Sequence, residues 1–148
     1  MVISSSFIFA QTTWDGSTST DWTVGSNWSN GAPSLGFYNA TITIPSGLSN
    51  YPVLAASQLQ AGAISIASGA TLTITGGSLN HVTGIISNNG SIILNSGSSM
   101  MSSSNISGGG NVVYNRNLSV TDEFYAVSAP VIGQDINNFI TAEITFVE

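Results

Sequence analysis

Apolar and polar residues alternate in short runs along the middle of this chain. Thr41-Ile42-Thr43-Ile44, Ala63-Ile64-Ser65-Ile66 and Thr71-Leu72-Thr73-Ile74-Thr75 each place every second side chain on one face, because successive side chains of a strand point to opposite sides. The pattern predicts strands with the Ile and Leu residues inward and the Thr and Ser residues outward. In Ile92-Ile93-Leu94 and Val112-Val113-Tyr114 the run is solidly apolar. At least one side chain of each must then face outward or meet another segment.

The runs recur. Ser-Gly-Ala-Thr-Leu-Thr-Ile at 68–74 comes back as Asn-Gly-Ser-Ile-Ile-Leu at 89–94 and as Gly-Gly-Asn-Val-Val-Tyr at 109–114. Its glycines, Gly69, Gly90 and Gly110, stand 21 and then 20 residues apart, and apolar residues precede each: Ile64 and Ile66, Ile85 and Ile86, Ile106. A fixed period of this size signals a solenoid. Each period holds two or three short β-prone runs separated by Gly, Ser and Asn, which one coil of a β-helix requires. The predicted fold class is all-β, a parallel β-helix or β-solenoid with about 20–21 residues per coil and an N-terminal aromatic cap. Glycines and Asn at the corners, as in Asn88-Asn89-Gly90 and Gly108-Gly109-Gly110-Asn111, are expected to supply positive φ.

Four segments follow from this reading. Residues 1–10 end in Phe7-Ile8-Phe9-Ala10 and are read as the remnant of a secretory signal peptide, an apolar stretch with Ala10 at a cleavage point; an ordinary first strand is the alternative. Residues 11–36 hold all three tryptophans, Trp14, Trp22 and Trp28. These rings either cap the open N-terminal end of the solenoid or form a sugar-stacking platform, and the cap is the leading reading. Residues 37–114 are the coils. They open with a strand over 38–44, followed by a Tyr51-Pro52-Val53-Leu54 turn and a less regular Ala-rich stretch with Gln58 and Gln60 as a transition into the regular coils. Met100-Met101 are expected at a coil corner or in a core gap. Residues 115–148 are read as the start of a following β-rich segment, truncated: a strand over 124–128, a helical turn at 135–140 with Asp135 as its N-cap, and an apolar run at 144–147.

Composition narrows the chemistry. Of 148 residues 42% are hydrophobic and 5% charged, and the net charge is −6 with Arg116 the only Lys or Arg. Binding to phosphate backbones needs a cluster of cations, so nucleic-acid binding is excluded, as is attraction to anionic membranes. No cysteine is present, which removes disulfides and thiolate metal sites, and no apolar run reaches the 18 or so residues of a membrane span. From Thr23 to Thr121 there is no Asp, Glu or Lys. Polysaccharide cleavage needs carboxylates for acid–base work or metal binding, so no catalytic residues are assigned and the chain is read as not an enzyme. His81 has no acid near it in sequence to make it a base or a ligand. Asp15 and Asp21 lie six apart in one loop, whereas repeat-type calcium sites place an Asp in every coil. No cofactor and no metal are expected.

Certain residues carry a resemblance. Trp14-Asp15-Gly16, Asn27-Trp28-Ser29-Asn30-Gly31-Ala32-Pro33, the Ser-Gly-Ala-Thr-Leu-Thr-Ile phrase and Tyr125-Ala126-Val127-Ser128-Ala129-Pro130-Val131 together resemble the N-terminal region of large cell-surface proteins of the Bacteroidota, typically exported by the type IX secretion system. The resemblance implies secretion, attachment at the cell surface and an extended, adhesin-like β-rich body. Its motifs mark architecture, so it carries over no catalytic residue. The C-terminal sorting domain of that group is not present in this sequence.

The expected function is therefore a non-enzymatic secreted or cell-surface structural or adhesion module, the β-solenoid stalk of a larger protein. The alternative is a glycan-binding module of a secreted polysaccharide-active protein, with glycan contact at Trp14, Trp22 and Trp28. Expected partners are surface glycans or another cell-surface protein, together with self-association through the solenoid edge after residue 114. A third reading, ice binding by a Thr-x-Thr array, begins at Thr71 and Thr73. One period on, those positions are read as Ile92 and Leu94, then Val112 and Tyr114, so the array is not propagated.

Overall fold

The computed structural model of the chain describes residues 11–33, 40–81 and 84–116, all within one compact unit, Met1–Asn117. In chain order the strands are β1 (Gln11–Thr13), β2 (Thr41–Ile44), β3 (Val53–Leu54), β4 (Ser57–Ala61), β5 (Ala63–Ile66), β6 (Thr71–Ile74), β7 (Ser78–His81), β8 (Ile86–Asn88), β9 (Ser91–Leu94), β10 (Ser99–Ser102), β11 (Ile106–Ser107) and β12 (Asn111–Tyr114), with a 3-10 turn at Gly25–Asn27. They form three parallel walls. The first stacks β1, β2, β5, β8 and β11, the second β3, β6, β9 and β12, and the third β4, β7 and β10. The chain visits the walls in rotation, so each coil lies on the one before it. The result is an all-β parallel solenoid of about three turns. The expected signal remnant at 1–10 and the expected segments after Arg116 lie outside the described residues.

Alternation decides which side chains enter the core. On the first wall the register places Ile42 over Ile64 and Ile64 over Ile86, and all three are buried. On the second wall Leu72 pairs with Ile92, and Ile74 with Leu94. These are buried too, while Thr71, Thr73, Ser91 and Ile93 face outward and half-exposed. Each buried aliphatic side chain contributes about 1.5–3 kcal/mol, and stacking like on like fills the lumen at every level. In the third wall Leu79 is buried and Met100 stands one coil above it, half-buried against the core. Met101 points out of the same strand and is 66% exposed. The methionines therefore occupy a strand, and the expected corner or gap is corrected.

Register also corrects the repeat. Aligning Gly69 with Gly90 implies a step of 21, but on the second wall Thr71 pairs with Ser91 and Ser91 with Asn111, a step of 20. The structural partner of Gly90 is thus Ala70. A one-residue slip turns every side chain to the other face, so the outward partners of Thr71 and Thr73 are Ser91 and Ile93, not Ile92 and Leu94. On the first wall the steps are 22, 22 and 20, through Ile42, Ile64, Ile86 and Ile106. Corners lengthen or shorten while strand registers hold, which is why no single period fits the whole chain.

Two kinds of glycine separate at the corners. Gly69 has φ +81° with open space where a Cβ would sit, the left-handed use that was expected. Gly90 and Gly110 do not adopt positive φ. At Gly90 a Cβ would collide with the carbonyl oxygens of Ala70 and Ala67, and at Gly110 with that of Gly90. These glycines let one coil settle on the next.

The stretch 51–61 is also more regular than its sequence indicates. Val53–Leu54 begins the second wall, not a turn, and Ser57–Ala61 begins the third. Pro52 sits immediately before β3, where it has no ladder bond to give; its carbonyl accepts from the Thr73 amide at 3.0 Å. This stretch completes the first coil.

Candidate functional site

The three tryptophans gather at the N-terminal end. The amide of Trp14 donates to the Thr43 carbonyl at 2.9 Å, continuing the ladder of β1 on β2. One step past the Thr13–Thr43 pair, Trp14 stands above Ile44 and heads the column of Ile44, Ile66 and Asn88. Asp21 forms a parallel bridge with Val53, and the Trp22 amide donates to the Val53 carbonyl at 3.2 Å. Trp22 thereby heads the column of Leu54, Ile74 and Leu94. Trp28 crosses between them, its ring edge-on to Trp14 at 4.9 Å and to Trp22 at 4.8 Å. Trp14 and Trp22 are 0% exposed and Trp28 4%.

The segment 11–33 is thus an incomplete coil laid over the first full one. An aliphatic residue leaves the next level uncovered, whereas an indole spans it, so three rings close the lumen. The edge of β1 is closed by residues 27–29: the Ser29 amide donates to the Thr13 carbonyl, the Asp15 amide to that of Asn27, both at 2.9 Å, around an antiparallel Trp14–Trp28 bridge. An edge strand so covered cannot template another chain. Thr12, buried above Ile42, spends its hydroxyl on the Gly31 carbonyl at 3.1 Å.

Indole N–H groups fasten the cap. Trp14 Nε1 donates to the Asn50 carbonyl and Trp28 Nε1 to the Trp22 carbonyl, each at 2.8 Å; Trp22 Nε1 is buried with no hydrogen-bond acceptor. Asn27 is fully buried and meets all its needs. Its Oδ1 accepts from the Thr18 and Ser19 amides at 2.9 Å, and its Nδ2 donates to Ser19 Oγ at 3.0 Å and the Asp21 carbonyl at 2.9 Å. Asn27→Ala takes the acceptor from the Thr18 and Ser19 amides, while the Asp21 carbonyl keeps the Val24 amide at 3.3 Å. At about 1–3 kcal/mol for a stranded buried group, unfolding in urea should show a loss of at least about 2 kcal/mol; a loss under about 0.5 kcal/mol would mean the loop is held by other contacts.

The sequence marks Asn27 only as the first residue of the Asn27–Pro33 motif; its burial depends on the loop closing around it. The buried place of Asn88 is likewise not visible in the sequence. Expected at a corner, it is a buried strand residue in the column of Ile44 and Ile66, where its Nδ2 reaches the Asn111 carbonyl at 2.9 Å and its Oδ1 takes the Gly90 amide at 3.1 Å. It ties the third coil to the fourth.

The outward faces carry hydroxyls. On the first wall Thr13, Thr43, Ser65, Ser87 and Ser107 form one column across all five strands. Its steps are 30, 22, 22 and 20, so no uniform period reveals it. On the second wall Thr71 and Thr73 pass to Ser91 and Ile93, then Asn111 and Val113, so a paired Thr array is still not propagated. Thr75, Asn95 and Asn115 make a side-chain ladder beside it, each Asn amide donating to the oxygen one coil back, at 2.9 and 3.0 Å.

Among the described residues no three His, Cys, Asp or Glu come together, and no helix is long and apolar enough to cross a membrane. His81 lies at the end of β7, in register with Ala61 and Ser102. Asp21 is exposed, and hydrogen bonds from the Thr23 hydroxyl at 2.7 Å and amide at 2.8 Å hold its carboxyl below the usual carboxylate range. That is a local turn.

Among curated proteins and among solved structures nothing matches this chain. A family model does, over residues 13–146, a span that starts at the cap and runs through every coil. The chain belongs to that family, described as a domain of unknown function, DUF8693.

Proposed function

We propose that this chain is a non-enzymatic structural module, the capped β-solenoid stalk of a larger secreted or cell-surface protein, which displays Ser, Thr and Asn rows to surface glycans or a neighbouring surface protein. The observation that carries this reading is continuity: the column headed by Trp22 runs through Leu54, Ile74 and Leu94 to Tyr114 without a break. Every described coil is used to stack on its neighbour. Secretion and surface attachment rest on the resemblance to exported Bacteroidota surface proteins, with type IX export as the route and 1–10 as the signal remnant. The absence of Asp, Glu and Lys from Thr23 to Thr121 supports a non-enzymatic role for the coils, because hydrolytic chemistry on glycans draws on carboxylates.

Glycan binding through the tryptophans is the alternative, and burial weighs against it. A stacked sugar needs an open ring face, whereas the rings of Trp14, Trp22 and Trp28 are turned on each other and on the coil beneath. Tryptophan emission decides between the two. The stalk reading expects blue-shifted emission that does not change across a panel of soluble polysaccharides. Red-shifted emission that moves saturably with one glycan would replace it with the glycan-binding reading.

A further inference from the structure

The chain contains two Asn-Gly steps, Asn30-Gly31 and Asn89-Gly90, and the fold treats them in opposite ways. Such a step is chemically labile in water. The glycine nitrogen, once it has given up its proton, attacks the Asn carboxamide carbon; ammonia leaves, and water opens the resulting succinimide to Asp or isoAsp. Glycine favours this because no side chain restricts its backbone. In a folded chain the glycine amide must also be free to ionise, and the ring must have room to close. At Asn89 both conditions fail. The Gly90 amide donates to Asn88 Oδ1 at 3.1 Å in a buried bond, and Gly90 is packed against the carbonyl oxygens of Ala70 and Ala67. At Asn30 both are met. Asn30 is exposed and Gly31 half-buried, with nothing around the place where a Gly31 Cβ would sit. The Gly31 amide reaches the Trp28 carbonyl only at 3.4 Å, beyond the roughly 2.7–3.2 Å of a normal N–H···O bond.

We propose that Asn30 is a site of spontaneous deamidation and that its product unfastens the edge of β1. Two neighbours close that edge. Ser29 takes both backbone groups of Thr13, its amide donating to the carbonyl at 2.9 Å and its Oγ accepting from the amide at 3.0 Å. Asn30 covers the next outward carbonyl, that of Gln11, with its Nδ2 at 2.7 Å. The reaction takes up one water and releases one ammonia, and needs no enzyme or oxidant. Its product is a carboxylate, which only accepts hydrogen bonds, so the Gln11 carbonyl loses its donor and faces a negative charge. The isoAsp form also inserts a carbon into the backbone between residues 30 and 31, which shifts the Gly31 carbonyl away from the Thr12 hydroxyl that now bonds it at 3.1 Å. The indoles are fastened elsewhere, Trp14 to the Asn50 carbonyl and Trp28 to that of Trp22. Conversion therefore loosens the Gln11 end of β1 and leaves the lumen sealed.

Ageing of the full chain at mildly alkaline pH, followed by pepsin digestion in acid and mass spectrometry, tests this. Each conversion adds one mass unit to its peptide. In the folded chain the Asn30 peptide should convert at least tenfold faster than the Asn89 peptide, whereas in urea the two should convert at comparable rates, because their sequences are equally labile. Asn30→Gln, whose longer side chain closes its ring far more slowly, should abolish the gain in the first peptide. Equal rates in the folded chain overturn the proposal. So does an Asn30 that converts only in urea, because the cap then holds the step closed, and so does a gain that persists in Asn30→Gln. Hydrogen exchange tests the consequence separately. Asn30→Asp reproduces the lost donor and should speed exchange of the Ser29 amide, which closes the edge on Thr13, at least tenfold, with the Trp14 amide on the Thr43 carbonyl unchanged. Unaltered exchange at Ser29 in this variant would overturn the unfastening of β1.

Discussion

Trp22→Ala is expected to lower the unfolding free energy by about 3–5 kcal/mol, the range for truncating a buried aromatic residue. The indole is completely buried, heads the column of Leu54, Ile74 and Leu94, and packs edge-on against Trp28. Its loss opens the lumen at the one described end that is closed, and water then reaches Leu54. Urea unfolding followed by circular dichroism measures the effect as a shifted midpoint at unchanged slope. A change below about 1 kcal/mol, far under the truncation range, would show that the rings do not seal the core.

Phenylalanine replacements sort the three rings further. Trp22 Nε1 has no acceptor, so Trp22→Phe removes a buried donor that is already unsatisfied and recovers part of what the smaller ring loses. Trp14→Phe and Trp28→Phe instead strand the carbonyls of Asn50 and Trp22, each at about 1–3 kcal/mol. Trp22→Phe should therefore be the mildest of the three.

The second large effect is expected at Gly90. Its missing Cβ leaves room for the carbonyl oxygens of Ala70 and Ala67, and those atoms belong to the backbone of the coil below. Neither can turn aside as a side chain would, so Gly90→Asn should cost about 3 kcal/mol or more, the upper end of over-packing. Gly69→Asn is the control. Gly69 is left-handed with open space around it, and Asn tolerates that conformation better than most residues, so the loss there should stay within about 1 kcal/mol. Equal losses at the two positions would mean that both glycines serve the same turn geometry, as their shared Ser-Gly and Asn-Gly context indicates.

That comparison shows where sequence reading succeeds and where it stops. Alternation assigns the faces of 41–44, 63–66 and 71–74 correctly, because in a strand the side-chain direction follows from the position alone. A recurring phrase of about 20 residues is enough for a parallel solenoid, since each coil must present the same faces to the next. The outward placement of one residue in each solidly apolar run also follows, and Ile93 and Val113 are those residues. Clustering of Trp14, Trp22 and Trp28 ahead of the first coil is sufficient to place a cap, because a stack of open coils needs one.

Other features depend on how distant segments meet. The step is 20 between the strands of the second wall and 30, 22, 22 and 20 on the first, and corner length is adjusted to keep hydrogen-bond registers, so only the paired strands reveal which residues stack. The hydroxyl column of Thr13, Thr43, Ser65, Ser87 and Ser107, and the buried place of Asn88, appear only in that register. Asn27 becomes a buried anchor only when Thr18, Ser19 and Asp21 close around it. Val53–Leu54 and Ser57–Ala61 become strands because the next coil supplies their partners, which overrides weak local patterning. Alternation is a local property and is legible in the chain alone; register, close approach and burial of polar groups are settled between coils, by atoms some 20 residues apart in sequence.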